Sequence, residues 1–179
     1  MKFTAKQIVA TAIGAALFFV LARFVSIPIF ANTYISLQYA VLGFFAAIFG
    51  PLSGLLIGLI GHALSDLTSY GAWWSWIITS ALVGLAFGFV LKGVRIEEGE
   101  FEKRGALQFI IGCVVIHAVG WIVIAPVLDI LIYGEPANKV FAQGLIAAIA
   151  NIITTAVIGT ILLYGYSKTR TKSNSLTKV

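Results

Sequence analysis

The side chains here that could do chemistry are few, and nearly all of them interrupt long apolar runs. His62 and Asp66 stand four residues apart, as do His117 and Trp121. That spacing puts each pair on one face of a helix. Asp129, Gln143 and Asn151 follow, and Trp73, Trp74 and Trp76 form a cluster. Two ligands at helical spacing fall short of a zinc site's three or four. No HExxH and no GxxxxGK[ST] phosphate loop occurs, and no serine or cysteine has a base beside it in sequence. The set suits binding better than bond making. Carboxamides and imidazoles donate and accept at the edge of a heterocycle, and indoles stack on its face. We expect no metal, no cofactor and no catalytic residue.

The elements that must carry these groups are set by where charge is absent. Of the 179 residues, 60% are hydrophobic and 11% charged, and the net charge is +5. An apolar run near 20 residues can cross a hydrocarbon core about 30 Å thick. Several such runs follow one another, so the chain reads as one membrane domain over 1–166 with a basic tail over 167–179. The cations flank apolar runs and read as orientation signals and lipid headgroup contacts, not as a nucleic-acid surface. Lys2 and Lys6 before an apolar stretch imitate a signal peptide. No clear cleavage site follows, so this stretch reads as a retained helix. Cys113, within an apolar run, reads as a small core residue.

Six helices are expected, at about 5–25, 36–49, 52–68, 73–92, 106–130 and 139–166. Gly50-Pro51 divides what would otherwise be one overlong run into two short helices, or a re-entrant pair. The fold class is therefore an all-α bundle of six transmembrane helices with both termini cytoplasmic. The positive-inside rule supports the count. With six spans, Lys2, Lys6, Lys92, Arg95, Lys103, Arg104, Lys168, Arg170, Lys172 and Lys178 share one side, leaving only Arg23 and Lys139 of the 12 cations opposite.

Orientation then sorts the polar groups by depth. His62, Asp66, His117, Trp121, Asp129, Gln143 and Asn151 fall at mid-depth or in the outer half, with Arg23, Asn32 and Tyr34 near the first outer loop. The inner halves are aliphatic or glycine. Such a distribution describes a pocket open to the outside and closed below, not a pore. Trp73, Trp74 or Trp121 would stack on a ring. His117, Gln143 and Asn151 would bond its edges, and Asp66, Asp129 and Arg23 would serve a polar arm or a charge. Blander readings stand beside these: tryptophans as interface anchors, Arg23 and Lys139 as headgroup contacts, and His62 with Asp66 as a structural pair. Gly50, Gly54 and Gly58, Gly84 and Gly88, and Ala12 and Ala16 repeat every four residues. That spacing lets helix backbones approach closely, within one bundle or against another subunit.

Three local patterns carry a family resemblance: Ala12-Ile13-Gly14-Ala15-Ala16, Phe49-Gly50-Pro51-Leu52-Ser53-Gly54, and Gly58 through Asp66. With six spans over essentially the whole length, the chain resembles the substrate-binding S component of an energy-coupling factor (ECF) vitamin transporter. The branch is the one named for riboflavin or for hydroxymethylpyrimidine and pyridoxine. The resemblance implies a transmembrane coupling (T) subunit docked on Ala12 and Ala16, and two ATP-binding-cassette ATPases. It also implies a water-soluble vitamin or precursor bound from outside, a small pyrimidine or pyridine ring before riboflavin. No nucleic acid is implied. A self-sufficient secondary transporter, an intramembrane enzyme and a structural subunit are the competing classes.

Overall fold

A computed structural model describes residues 3–30 and 33–170. The helices are α1 (Ala5–Phe24), α2 (Gln38–Phe49), α3 (Pro51–Leu67), α4 (Trp74–Val90), α5 (Lys103–Tyr133) and α6 (Ala137–Lys168). Local sequence sets their ends. Thr4 and Gln7 close α1 with a capping box, in which each side chain bonds the other's backbone N–H. Gly50 at φ 92° and Pro51 at the first helical position split α2 from α3. Gly134 at φ 67° ends α5. The helix α6 runs two residues past the expected boundary at 166, and the tail from 171 lies outside the described residues.

Between α1 and α2 a plain loop was expected. Instead β1 (Ile27–Phe30) pairs antiparallel with β2 (Thr33–Ile35). β-branched and aromatic residues favour the extended chain, and Pro28 is tolerated on an edge strand.

The helices α1, α5 and α6 are each long and apolar enough to cross a membrane, whereas α2, α3 and α4 are apolar but shorter, at 12, 17 and 17 residues. Ile8, Val20, Ile111, Val119, Val123 and Ile161 lie exposed on the outside, a surface suited to lipid. Phe18, Leu42, Ile57, Phe87, Phe109 and Leu163 fill the interior.

The glycine stripes on α3 and α4 are a seam inside the bundle. A Cβ on Gly54 would stand 2.1 Å from the carbonyl oxygen of Gly84, and one on Gly58 2.2 Å from that of Ser80. Ala12 and Ala16 behave differently: both are exposed, while Gly14 faces inward against Ile57 and Phe45.

The two longest helices carry π-helical stretches, Ala118–Ile124 in α5 and Thr155–Gly159 in α6. Their buried faces explain why. In α5 every fourth residue from Phe109 through Cys113, His117, Trp121 and Ala125 to Asp129 is buried. In α6 the same holds from Gln143 through Asn151 and Thr155 to Ser167. On an α-helix, at about 100° per residue, such a stripe drifts by about 40° per step. The wider π turns take up part of that drift and keep the stripe facing inward.

Lys6 Nζ lies 2.5 Å from Glu97 Oε1, tying the start of α1 to the loop between α4 and α5. The end of α6 packs on the 3-10 turn of that same loop, Ile96–Glu98. Both ends of the described chain and this charged loop therefore share one end of the bundle. The candidate site lies at the other.

Candidate binding site

Two adjoining cavities open there. The first, about 260 Å³, is walled by the rings of Phe18, Tyr39, Trp76 and Trp121, from four different helices. Tyr39 and Trp121 meet at 5.3 Å between centroids, and Trp76 and Trp121 at 5.1 Å. Gln38, His62, Ser65, Asp66 and Asn151 supply its polar lining, with Arg23 and Tyr34 also along its wall. The second, about 330 Å³, is lined by Trp73, Asp129, Glu135, Lys139, Val140 and Gln143, and shares Tyr70 and Trp76 with the first.

Asn151 is the polar group that this fold leaves unfinished. It is 6% exposed and lines the first cavity, yet its carboxamide makes no side-chain hydrogen bond among the described residues. Gln38 lines the same cavity, and its buried Oε1 has no partner. A buried amide without a partner costs about 1–3 kcal/mol. A bound solute with donors and acceptors on its edge would recover that.

The two carboxylates are occupied differently. Asp129 accepts from the indole N–H of Trp73 at 2.7 Å, the indole N–H of Trp76 at 2.8 Å, and the hydroxyl of Ser75. It clamps the start of α4 to the end of α5 and fixes both indoles. Trp73 also stacks on Tyr133 at 4.1 Å. Asp66 accepts from the Tyr70 hydroxyl at 3.1 Å and the Trp73 backbone N–H at 3.1 Å, and His62 Nε2 lies 3.4 Å away. His62 Nδ1 meets Ser80 Oγ at 2.5 Å, and Ser80 meets the Tyr39 hydroxyl at 2.7 Å. Burial, and then the Asp66 carboxylate beside it, push the Tyr70 phenol well above its ordinary pKa, so it stays a donor.

The Asp129 clamp yields a direct expectation. Asp129→Asn keeps the shape but replaces one acceptor oxygen with a donor facing a donor. Hydrogen bonds to charged groups are worth about 1.5–3 kcal/mol, so a stability loss of about 2 kcal/mol or more is expected. Thermal unfolding and tryptophan fluorescence of the variant check it; an unshifted unfolding temperature would show that the clamp carries no weight.

His117 lies beneath the first cavity and not along its wall. Its Nδ1 accepts from the Trp121 indole at 3.1 Å, so Nε2 carries the proton toward Thr155 Oγ1 at 3.0 Å. With both nitrogens engaged and no exposure, it positions Trp121. Trp74 is 51% exposed and lines neither cavity; its backbone N–H donates to the Tyr133 hydroxyl at 2.8 Å. Asn32 lies outside the described residues. Arg23 rests its guanidinium over Phe24 at 5.5 Å, and Lys139 pairs with Glu135 at 2.7 Å. The structure thus brings Arg23, Tyr34, Asp66, Trp121 and Asn151 to one cavity, and Trp73, Asp129 and Gln143 to its neighbour. Sequence reasoning left Tyr39 unconsidered and kept Gln38 out of the candidate site. A lone amide at the head of an apolar helix was a signal for Gln38, whereas Tyr39 reads as core.

These features define a class: a small all-α bundle of membrane type with a solute-sized, aromatic-walled cavity at one end. The chain belongs to the family of ECF-type riboflavin transporter S components, whose profile matches residues 2–168. This is a family of membrane-embedded vitamin-transport subunits, not of enzymes. A protein of Exiguobacterium named UPF0397 is 55% identical over 98% of this chain and 97% of its own length. A UPF0397 protein of Streptococcus gordonii is 52% identical over 98% of this chain and 95% of its own length. One of Staphylococcus aureus is 49% identical over 97% and 95%.

Proposed function

We propose that this chain is the substrate-binding subunit of an ECF importer and captures a small pyrimidine or pyridine ring, such as hydroxymethylpyrimidine or pyridoxine. Riboflavin, for which the family is named, is the next candidate. The unpartnered Asn151 carboxamide in a cavity walled by Trp76, Trp121, Tyr39 and Phe18 carries the reading. Asn151 and Gln38 bond the ring edge, the indoles hold its faces, and His117 sets Trp121 from below. Trp73, Gln143 and Asp129 border the neighbouring chamber, with Arg23, Asn32 and Tyr34 toward the outside. Trp74 adds an anchor at the interface. Asn151→Ala is expected to weaken binding about tenfold or more, since 1.4 kcal/mol is a factor of ten. His117→Ala is expected to weaken it less, through a loosened Trp121. Titration of both variants with hydroxymethylpyrimidine, pyridoxine and riboflavin, beside mass spectrometry of ligand retained on purification, tests this. Unchanged affinity in both, with folding intact, would move the site elsewhere.

The subunit sits in the cell membrane with six spans and both termini cytoplasmic, so the cavities face outward. The sharing of one end by the start of α1, the charged loop and the end of α6 supports this. Cysteine at Arg104 is expected to react with a membrane-impermeant reagent only from the cytoplasm, and cysteine at Glu135 only from outside. Outside labelling at Arg104 would invert the site. A T subunit docks on the exposed Ala12 and Ala16 stripe, and two ATPases complete the importer.

A further inference from the structure

Asp66 is the one acidic side chain lining the first cavity, and it is 1% exposed. Its donors are a phenol, a backbone N–H and the His62 ring. No lysine or arginine lies within ion-pair distance of it among the described residues. Arg23 lines the same cavity but is exposed, its guanidinium over Phe24. The other titratable groups on the wall are the phenols of Tyr34, Tyr39 and Tyr70, while α4, α5 and α6 contribute none. Asp129, Glu135 and Lys139 face the second chamber, where Asp129 is saturated and the other two pair with each other. A carboxylate removed from water without a full counter-charge is costly, and one facing a cavity within a membrane marks a partner that arrives from outside. The walls around it are the π-faces that attract cations.

We propose that the cargo supplies the missing charge: its ring is a weakly basic nitrogen heterocycle, bound in protonated form with the ring N–H donating to Asp66. This rests on the reading of the chain as a binder of small pyrimidine or pyridine rings. It narrows that class to basic rings and disfavours non-basic ones, such as the isoalloxazine of riboflavin. Asn151 and Gln38 then read the neutral edge of the ring, and Asp66 its charge.

The test counts protons. At about pH 8 free hydroxymethylpyrimidine is neutral, so binding in protonated form must take up one proton per ligand. Calorimetry of the full chain in two buffers of different ionisation heat reads that number. One proton is expected, with affinity falling about tenfold per pH unit above the ring's own pKa. The analogue with both ring nitrogens replaced by CH is expected to bind at least tenfold more weakly. His62→Gln is expected to retain the uptake, because the proton sits on the ligand, and Asp66→Asn to abolish it. The count on the unmodified protein stands even if Asp66→Asn disturbs the loop it ties. Binding without proton uptake would overturn this inference and leave the small-ring reading intact. Loss of uptake in His62→Gln would place the proton on the imidazole and overturn it too. Absence of binding by any pyrimidine or pyridine would overturn both, and riboflavin bound without uptake would then leave only the S-component assignment standing.

Discussion

Ala12→Trp is expected to abolish uptake while leaving ligand affinity within about twofold, a separation that follows from the geometry of α1. Ala12 and Ala16 face outward, and Gly14 between them faces inward. The indole would therefore project away from Phe18 and the cavity. Helix association in lipid depends on close backbone approach across small residues, so bulk at this point separates the partner helix. Uptake into cells and co-purification of the T subunit are the measurements, with ligand titration of the isolated subunit alongside. A variant that assembles and transports normally would remove the docking face from α1.

The second large effect is expected at the seam between α3 and α4. Gly84→Val puts a side chain where the Gly54 carbonyl oxygen already stands, 2.1 Å from the new Cβ. Both neighbours are backbone, so no rotamer change relieves the clash. Overpacking usually costs about 1–3 kcal/mol, and an obstacle that cannot relax belongs at or above the upper end. The damage reaches the site because α3 carries His62 and Asp66 while α4 carries Trp76. We expect Gly84→Val to yield little monodisperse protein and no ligand binding. Gly165→Ala is the contrast, since nothing lies within 4 Å of a Cβ there. It is expected to be neutral, or to stabilise by up to about 1 kcal/mol through helix propensity. Thermal unfolding of both variants checks the pair; an intact Gly84→Val would mean the helices can slide apart.

Much of this was legible in the sequence because membranes make crude rules strong. The split at Gly50-Pro51, the order of the helices and the clustering of Asp66, Trp121 and Asn151 around one cavity follow from spacing and depth. Contact was harder to read. Trp73, Trp74 and Trp76 look alike in sequence, yet Asp129 takes the indoles of the first and third and leaves Trp74 outside. His117 and Asn151 both sit at mid-depth, but a partner on another helix, Thr155, satisfies one and nothing among the described residues satisfies the other. Such pairings depend on how helices rotate against each other. The four-residue stripe along α5 and α6 was a readable sign of that rotation, and its mismatch with the α-helical period points to the π stretches.

Those stretches fix how many residues α5 and α6 contain. A π turn holds one residue more than an α-helix needs. Deleting Val119 would therefore repair the backbone ladder, and locally the helix would lose nothing. Everything beyond it, however, would turn about 100° against everything before it. His117 would keep Thr155, while Asp129 would swing off Trp73 and Trp76. A residue gained or lost around Gly134 has no such effect, because a turn absorbs it. Chains of different lengths that share this cavity must therefore place their alignment gaps in the connections, never between His117 and Asp129.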